Sequence, residues 1–227
     1  MNFEELKEKT EAFLEKKRYD NATELLEQII ARYPDKQEIH TYKMLLADTY
    51  FKLGKYSSSA HLYDHYQNYY PSDNKAEYAK YQAVLSQFYQ TLKTDCDQTP
   101  TQETIKICSS YLQNSHYQKY RKDVLDIQNT CEHKLISKEI YVFNFYLKNE
   151  QYDAAKNRLN YLRSHYLPKK NTLEPQILYL ECKLAQKQRN EQTIQKNLEE
   201  LFAKYPQSEY ARMSQSLITK NNTVFEF

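Results

Sequence analysis

A single glycine, Gly54, serves a chain of 227 residues. Primed hairpin turns need Gly or Asn-Gly, so a chain this poor in glycine is steered away from tight β-turn architecture and towards helices. Gly54 sits within Leu45–Pro71, LLADTYFKLGKYSSSAHLYDHYQNYYP. Leu46, Ala47 and Tyr50 line one face of a first helix, which Gly54 closes. Tyr56 and Ser59 open a second helix, which carries Tyr63 and Tyr66 and stops at Pro71. One such pair cannot bury its own apolar stripe, so the pattern has to recur.

The order Leu, small, Tyr, small, aromatic, small, Pro is that of a tetratricopeptide unit, whose period is about 34 residues. The first pair is Phe3–Pro34, with Leu6, Phe13, Tyr19, Ala22, Leu26 and Ile29 at helical spacing and Asp20 or Asn21 as caps of its second helix. Leu45–Pro71 belongs to the second pair. The third opens at Ser72 as N-cap, runs as a helix over Lys75–Leu92, and passes through the least helical segment, Lys93–Thr99. It resumes at Thr99-Pro100-Thr101-Gln102, where Thr99 caps and Gln102 completes a capping box. From Tyr117 to Asn149 there is neither Gly nor Pro, which predicts one long helix ending one repeat and beginning the next. Tyr152, Ala155, Leu159 and Leu162 complete a fourth pair ending at Leu167-Pro168. A fifth begins after Asn171-Thr172 and ends at Tyr205-Pro206. Ser208–Leu217 reads as a closing helix and Asn221–Phe227 as a frayed tail. The expected fold is all-α: a right-handed superhelix of about five tetratricopeptide-like pairs, one solenoid over residues 1–227, with first helices lining a concave face.

The mean hydropathy of -0.93 suits a solenoid with much helix surface in water. There are 23 tyrosines and no tryptophan. Tyrosine buries its ring and wets its hydroxyl, which fits the walls of a half-exposed groove. The formal net charge of +2 argues against nucleic-acid binding driven by bulk charge. Residues 1–113 hold 14 Lys+Arg against 17 Asp+Glu, and residues 114–227 hold 18 against 13, which makes the C-terminal half mildly basic and compatible with an acidic partner. Cys96, Cys108, Cys131 and Cys182 lie far apart without a CxxC, which disfavours structural zinc. No apolar signal core or membrane-spanning run is present, so the expectation is either a cytosolic protein or an exported one whose signal is missing.

The run Tyr33-Pro34, Leu46-Ala47-Asp48-Thr49-Tyr50, Gly54-Lys55-Tyr56, Tyr69-Tyr70-Pro71, Tyr78-Ala79-Lys80-Tyr81 resembles the BamD family of outer-membrane assembly lipoproteins of Gram-negative bacteria. So does Asp95-Cys96-Asp97-Gln98-Thr99-Pro100-Thr101, a short turn before a helix. Gln113-Asn114-Ser115-His116-Tyr117 ends that helix without the family's Pro, and Tyr205-Pro206-Gln207-Ser208-Glu209-Tyr210 repeats the ending. The resemblance implies a non-catalytic scaffold of the β-barrel assembly machinery at the periplasmic face of the outer membrane. It also implies a lipid anchor, missing from this chain, as the means of membrane contact. The N-terminal repeats, residues 1–117, would receive unfolded outer-membrane proteins. The C-terminal repeats, residues 118–220, would dock the periplasmic region of a BamA-like barrel protein, beside other assembly lipoproteins. The competing reading is a generic tetratricopeptide adaptor of the envelope or cytosol with an unrelated client.

Thr41, Met44, Asp48 and Phe51 lie off the Leu46/Tyr50 packing stripe. With Tyr42, Tyr78 and Tyr81, the residues Met44, Asp48 and Phe51 form the candidate groove for a peptide bearing aromatics. Arg158 and Arg163, near Lys156, are the candidate partner-docking residues, since Asn157-Arg158 falls where the family has a similar pair. His61 and His65 are one turn apart but have no third ligand by spacing, and Asp95 and Asp97 read as turn and cap formers. With no Gly-rich phosphate loop and no nucleophile beside a base, neither an enzyme nor a cofactor is expected.

Overall fold

Four of the turns that join helices within a pair have the same geometry. The chain passes through the left-handed region at Lys17 (φ 54°), Gly54 (φ 72°), Glu150 (φ 59°) and Arg189 (φ 57°). The next residue's N–H then bonds back five residues: Arg18 to Phe13 O at 2.8 Å, Lys55 to Tyr50 O at 2.9 Å, Gln151 to Tyr146 O at 3.0 Å and Asn190 to Ala185 O at 2.9 Å. This is the Schellman ending, and the residue that donates also starts the following helix. Only one of the four positions uses glycine, so three residues hold a conformation that L side chains resist by about 1 kcal/mol.

The computed structural model describes residues 1–219, and the side chains of residues 1–215. Among these residues the elements are α1 (Phe3–Glu15), α2 (Tyr19–Arg32), α3 (Ile39–Lys52), α4 (Tyr56–Tyr69), α5 (Ala76–Phe88), α6 (Thr99–Gln113), α7 (Arg121–Lys148), α8 (Tyr152–His165), α9 (Glu174–Lys187), α10 (Glu191–Lys204) and α11 (Glu209–Thr219). A 3-10 turn at Asn171–Leu173 leads into α9, and no strand is formed among the described residues. The all-α, helix-pair repeat read from the sequence is therefore the fold. The long helix is present as the 28-residue α7, and the closing helix as α11. The expected tail, Asn221–Phe227, lies outside the described residues.

Several expected caps are replaced. Asp20 and Asn21 lie inside α2, which starts at Tyr19 without a side-chain cap. Asp73, not Ser72, serves the start of α5 by accepting the Lys75 N–H at 2.7 Å. At α6 the N-cap is Gln98 rather than Thr99. Asp97 accepts the Thr99 N–H at 3.1 Å and its hydroxyl at 2.9 Å. Buried Gln98 donates to Lys93 O (2.8 Å) and Cys96 O (3.1 Å) and accepts from Thr101 Oγ1 (3.0 Å). An aspartate can bond the backbone two residues on and so needs no helical register of its own, which lets it displace the hydroxyl caps.

The chain divides into two compact units, Met1–Leu135 and Ile136–Phe227. In the first, each core patch is shared by three successive helices: Leu6, Leu26 and Leu46 from α1 to α3, Met44, Tyr63 and Ala83 from α3 to α5, and Val84, Cys108 and Val124 from α5 to α7. In the second, Phe143, Leu159 and Ile177 join α7, α8 and α9, while Leu178, Leu201 and Ala211 join α9, α10 and α11. Small residues let helices within a pair approach. Ala22, Ser59 and Ala155, each the fourth residue of its helix, are fully buried. Ser59 donates to Ala47 O of the preceding helix at 2.9 Å.

The turn geometry predicts opposite effects for opposite substitutions. Gly54→Ala meets no steric neighbour, so its cost is the strained φ alone, about 1 kcal/mol. Lys17→Gly, Glu150→Gly and Arg189→Gly should each stabilise by about 0.5 kcal/mol. Urea unfolding followed by circular dichroism reads both signs. A neutral Gly54→Ala would show that the left-handed turn is not where stability is held.

Candidate functional site

The six groove candidates do not form one surface. Tyr42 is buried in the first core patch, its ring edge-on to Phe3 at 5.7 Å. Met44 is buried among Ala47, Tyr63 and Ala79. Both belong to the core, which corrects their assignment to an open groove. The physical reason is the position of α3. An interior first helix packs against the pair before it, its own partner and the pair after it, so residues off one packing stripe lie on another.

Asp48 and Tyr78 are brought together, but as a junction. The Tyr63 hydroxyl donates to Asp48 Oδ1 at 2.5 Å and the Tyr78 hydroxyl donates to the same oxygen at 2.8 Å. Their rings meet edge-on at 6.3 Å. Asp48 thus ties α3 to α4 and α5. Burial, reinforced by the Asp48 charge, pushes both phenols far above their ordinary range. Tyr81 stacks face to face on Tyr120 at 4.2 Å with rings parallel to within 1°. Phe51 joins a different cluster, edge-on to Tyr56 at 5.5 Å and to Tyr89 at 5.7 Å, while Tyr56 and Tyr89 stack at 5.0 Å. Tyr89 is 53% exposed. The sequence reading places Tyr89 inside a helix running to Leu92, whereas α5 ends at Phe88, so the helical pattern does not give the direction of Tyr89.

The two docking candidates are engaged within the second unit. Arg163 makes a two-pronged pair with Glu181, Nε to Oε1 at 2.8 Å and Nη2 to Oε2 at 2.9 Å, across α8 and α9. Asn197 on α10 donates to the same carboxylate at 3.3 Å. That hydrogen bonding holds the guanidinium pKa above its usual value and makes Arg163 a bridge between repeats rather than an open cation. Arg158 pairs with Glu139 at 3.3 Å through Nη1, and its side chain stays 39% exposed.

Among the described residues, His65 and the three buried cysteines are accounted for by packing. His65 stacks on Tyr69 at 4.1 Å, and among the described residues no three His, Cys, Asp or Glu side chains could share a metal. Burial pushes the thiols up, to about 12 at Cys108 and Cys182 and about 11 at Cys131, away from reactive thiolate at neutral pH. Among the described residues no helix is long and apolar enough to cross a membrane.

The tyrosine junctions generate a stability series. Asp48→Ala strands two hydroxyls, one of them on fully buried Tyr63, and should cost about 2–3 kcal/mol, whereas Tyr78→Phe should cost about 1. An equal effect in urea unfolding would deny Asp48 its linking role. Base should also unfold the chain. Phenols raised by burial, to about 12 at Tyr50 and Tyr66 and further at Tyr63 and Tyr111, contribute stability that is full below about pH 10 and lost as pH rises through their folded values. Phenolate absorbance and loss of helix should therefore rise together. Complete titration near pH 10 with the helices intact would contradict this.

None of the curated proteins compared with the chain matches it. The model of one protein family, YfiO, described as an outer membrane lipoprotein, matches residues 1–180. The match runs from α1 through α8 into α9 and so takes in most of the chain, with all of the first unit and about half of the second. With this helix-pair fold and that match, the chain belongs to the YfiO family of outer membrane lipoproteins.

Proposed function

We propose that this protein is a non-catalytic scaffold of the outer-membrane β-barrel assembly machinery, lipid-anchored at the periplasmic face, which holds unfolded barrel proteins and the periplasmic region of a BamA-like partner. The observation that carries this reading is the family match over residues 1–180. The chemistry supports a binding role. Its buried phenols and thiols are pushed away from neutrality, the opposite of the tuning that general acids, bases and nucleophiles need.

For the substrate surface we favour the side where Phe51, Tyr56 and Tyr89 cluster, an aromatic patch that is part-buried at its base and open at Tyr89. Asp48, Tyr78 and Tyr81 position the helices behind it, while Tyr42 and Met44 act from the core. For the assembly partner, Arg158 remains the contact because much of its side chain is exposed, and Arg163 positions α8 against α9 through Glu181. Other assembly lipoproteins would join through further faces of the same repeats.

The test is capture of the lipidated protein from its native envelope in mild detergent after crosslinking. A barrel-assembly protein with periplasmic repeats should be recovered with it, and its consistent absence overturns the proposal. Phe51→Ala combined with Tyr89→Ala should weaken binding of an aromatic-ended barrel peptide about tenfold with unchanged helicity. Undiminished affinity removes this patch from the substrate site.

A further inference from the structure

The first helices of the second unit meet along one face, and a cation is left uncompensated there. Lys183 on α9 donates from Nζ to Asn144 Oδ1 on α7 at 3.2 Å. The same Nζ lies 5.8 Å from the ring centroid of Tyr179, one turn back on its own helix. Tyr179 in turn meets Tyr210 of α11 at 5.8 Å between ring centroids. Asn144, Lys183, Tyr179 and Tyr210 thus make a continuous strip over three helices. Tyr141 and Phe145 flank Asn144 on α7 and are 52% and 57% exposed.

Three other cations of this unit are matched by acids. Arg158 has Glu139, Arg163 has Glu181 and Lys204 has Glu200. Lys183 is half-buried, and its contacts are an amide oxygen and a ring face. Desolvation lowers its pKa, the expected sign for an ammonium removed from water without a counter-charge. An ammonium has three donors and Asn144 takes one. The strip therefore presents a charge-assisted donor between aromatic rings, where a carboxylate would recover the desolvation cost.

The form of the anion follows from the surroundings. A membrane surface or a nucleic acid is held by several clustered Lys and Arg, whereas here Lys183 sits between tyrosines and one further ammonium, Lys138, covers the Tyr141 ring of the flank at 5.7 Å. Three adjacent helices span on the order of 20 Å, about six residues of extended chain. We infer that this strip is a docking surface for an acidic peptide segment of a protein partner, with an Asp or Glu carboxylate on Lys183 and apolar neighbours against Tyr179, Tyr210 and the Tyr141/Phe145 flank. The surface would serve an assembly scaffold or any other adaptor alike.

The experiment uses the full chain and a fluorescein-labelled acetyl-Ser-Phe-Glu-Phe-Ser-amide peptide, beside the same peptide with Gln in place of Glu. Anisotropy should show the Gln peptide binding about tenfold more weakly. Lys183→Met should abolish that difference and Lys183→Arg should keep it, both with unchanged helicity. The comparison of the two peptides on the unaltered protein stands without any variant. Equal affinity for the two peptides overturns the proposal, as does an undiminished preference in Lys183→Met. Binding to phosphatidylglycerol vesicles that depends on Lys183 while neither peptide binds assigns the site to lipid instead and also overturns it. The assay reads Lys183 alone, so its outcome is independent of capture from the envelope.

Discussion

Hydrogen bonds from tyrosine hydroxyls to carboxylates recur at the joints between successive helices. Tyr50 on α3 donates to Glu27 on α2 at 2.6 Å, Tyr63 and Tyr78 converge on Asp48, Tyr111 on α6 donates to Glu77 on α5 at 2.6 Å, and Tyr205 donates to Glu174 at the start of α9. The ring supplies buried apolar area and the hydroxyl then needs a partner, which an acid on the neighbouring helix provides. Because repeat stability is a sum over neighbouring interfaces, a link of this kind acts where it matters most. It also accounts for a chain with 23 tyrosines and no tryptophan, since indole donates only and presents no hydroxyl at the end of a ring.

The third pair departs from the others, and the departure has a local cause. The helices of the other pairs are joined by the left-handed turn, while α5 and α6 are separated by a longer loop that buried Gln98 holds in place. Lys134 of α7 bonds Thr91 Oγ1 in that loop at 2.5 Å and covers the Phe88 ring at 5.4 Å. Within the Asp95–Thr101 segment, Asp97 and Gln98 thus serve backbone groups.

In the candidate site the same residues serve packing and recognition, and geometry separates the two. A tyrosine whose hydroxyl is taken by Asp48 or whose ring is stacked on Tyr120 has little left to offer a ligand. Tyr89 keeps about half of its surface exposed although it stacks on Tyr56, and Lys183 has an amide and a ring as its contacts in place of an acid. Arginine is drawn into internal bridges more readily than lysine, because its planar fork matches a carboxylate in two places, as Arg163 and Glu181 show.

The all-α class, the helix pairs, the Tyr-Pro endings and the long α7 could be read along the chain, because 3.6-residue periodicity, Pro and scarce Gly act over a few residues. The three non-glycine left-handed turns could not, since Lys17, Glu150 and Arg189 carry no local mark of positive φ and are held there by the helices they join. The side chains offered to a ligand were equally hidden. Periodicity identifies one apolar stripe, but a first helix in a repeat array is covered on several sides, so Tyr42 and Met44 went to the core. Sequence determined which residues could be aromatic walls or free cations. Only the packing of one pair on the next decided which hydroxyls and charges were already satisfied, because that depends on distances between residues far apart in the chain.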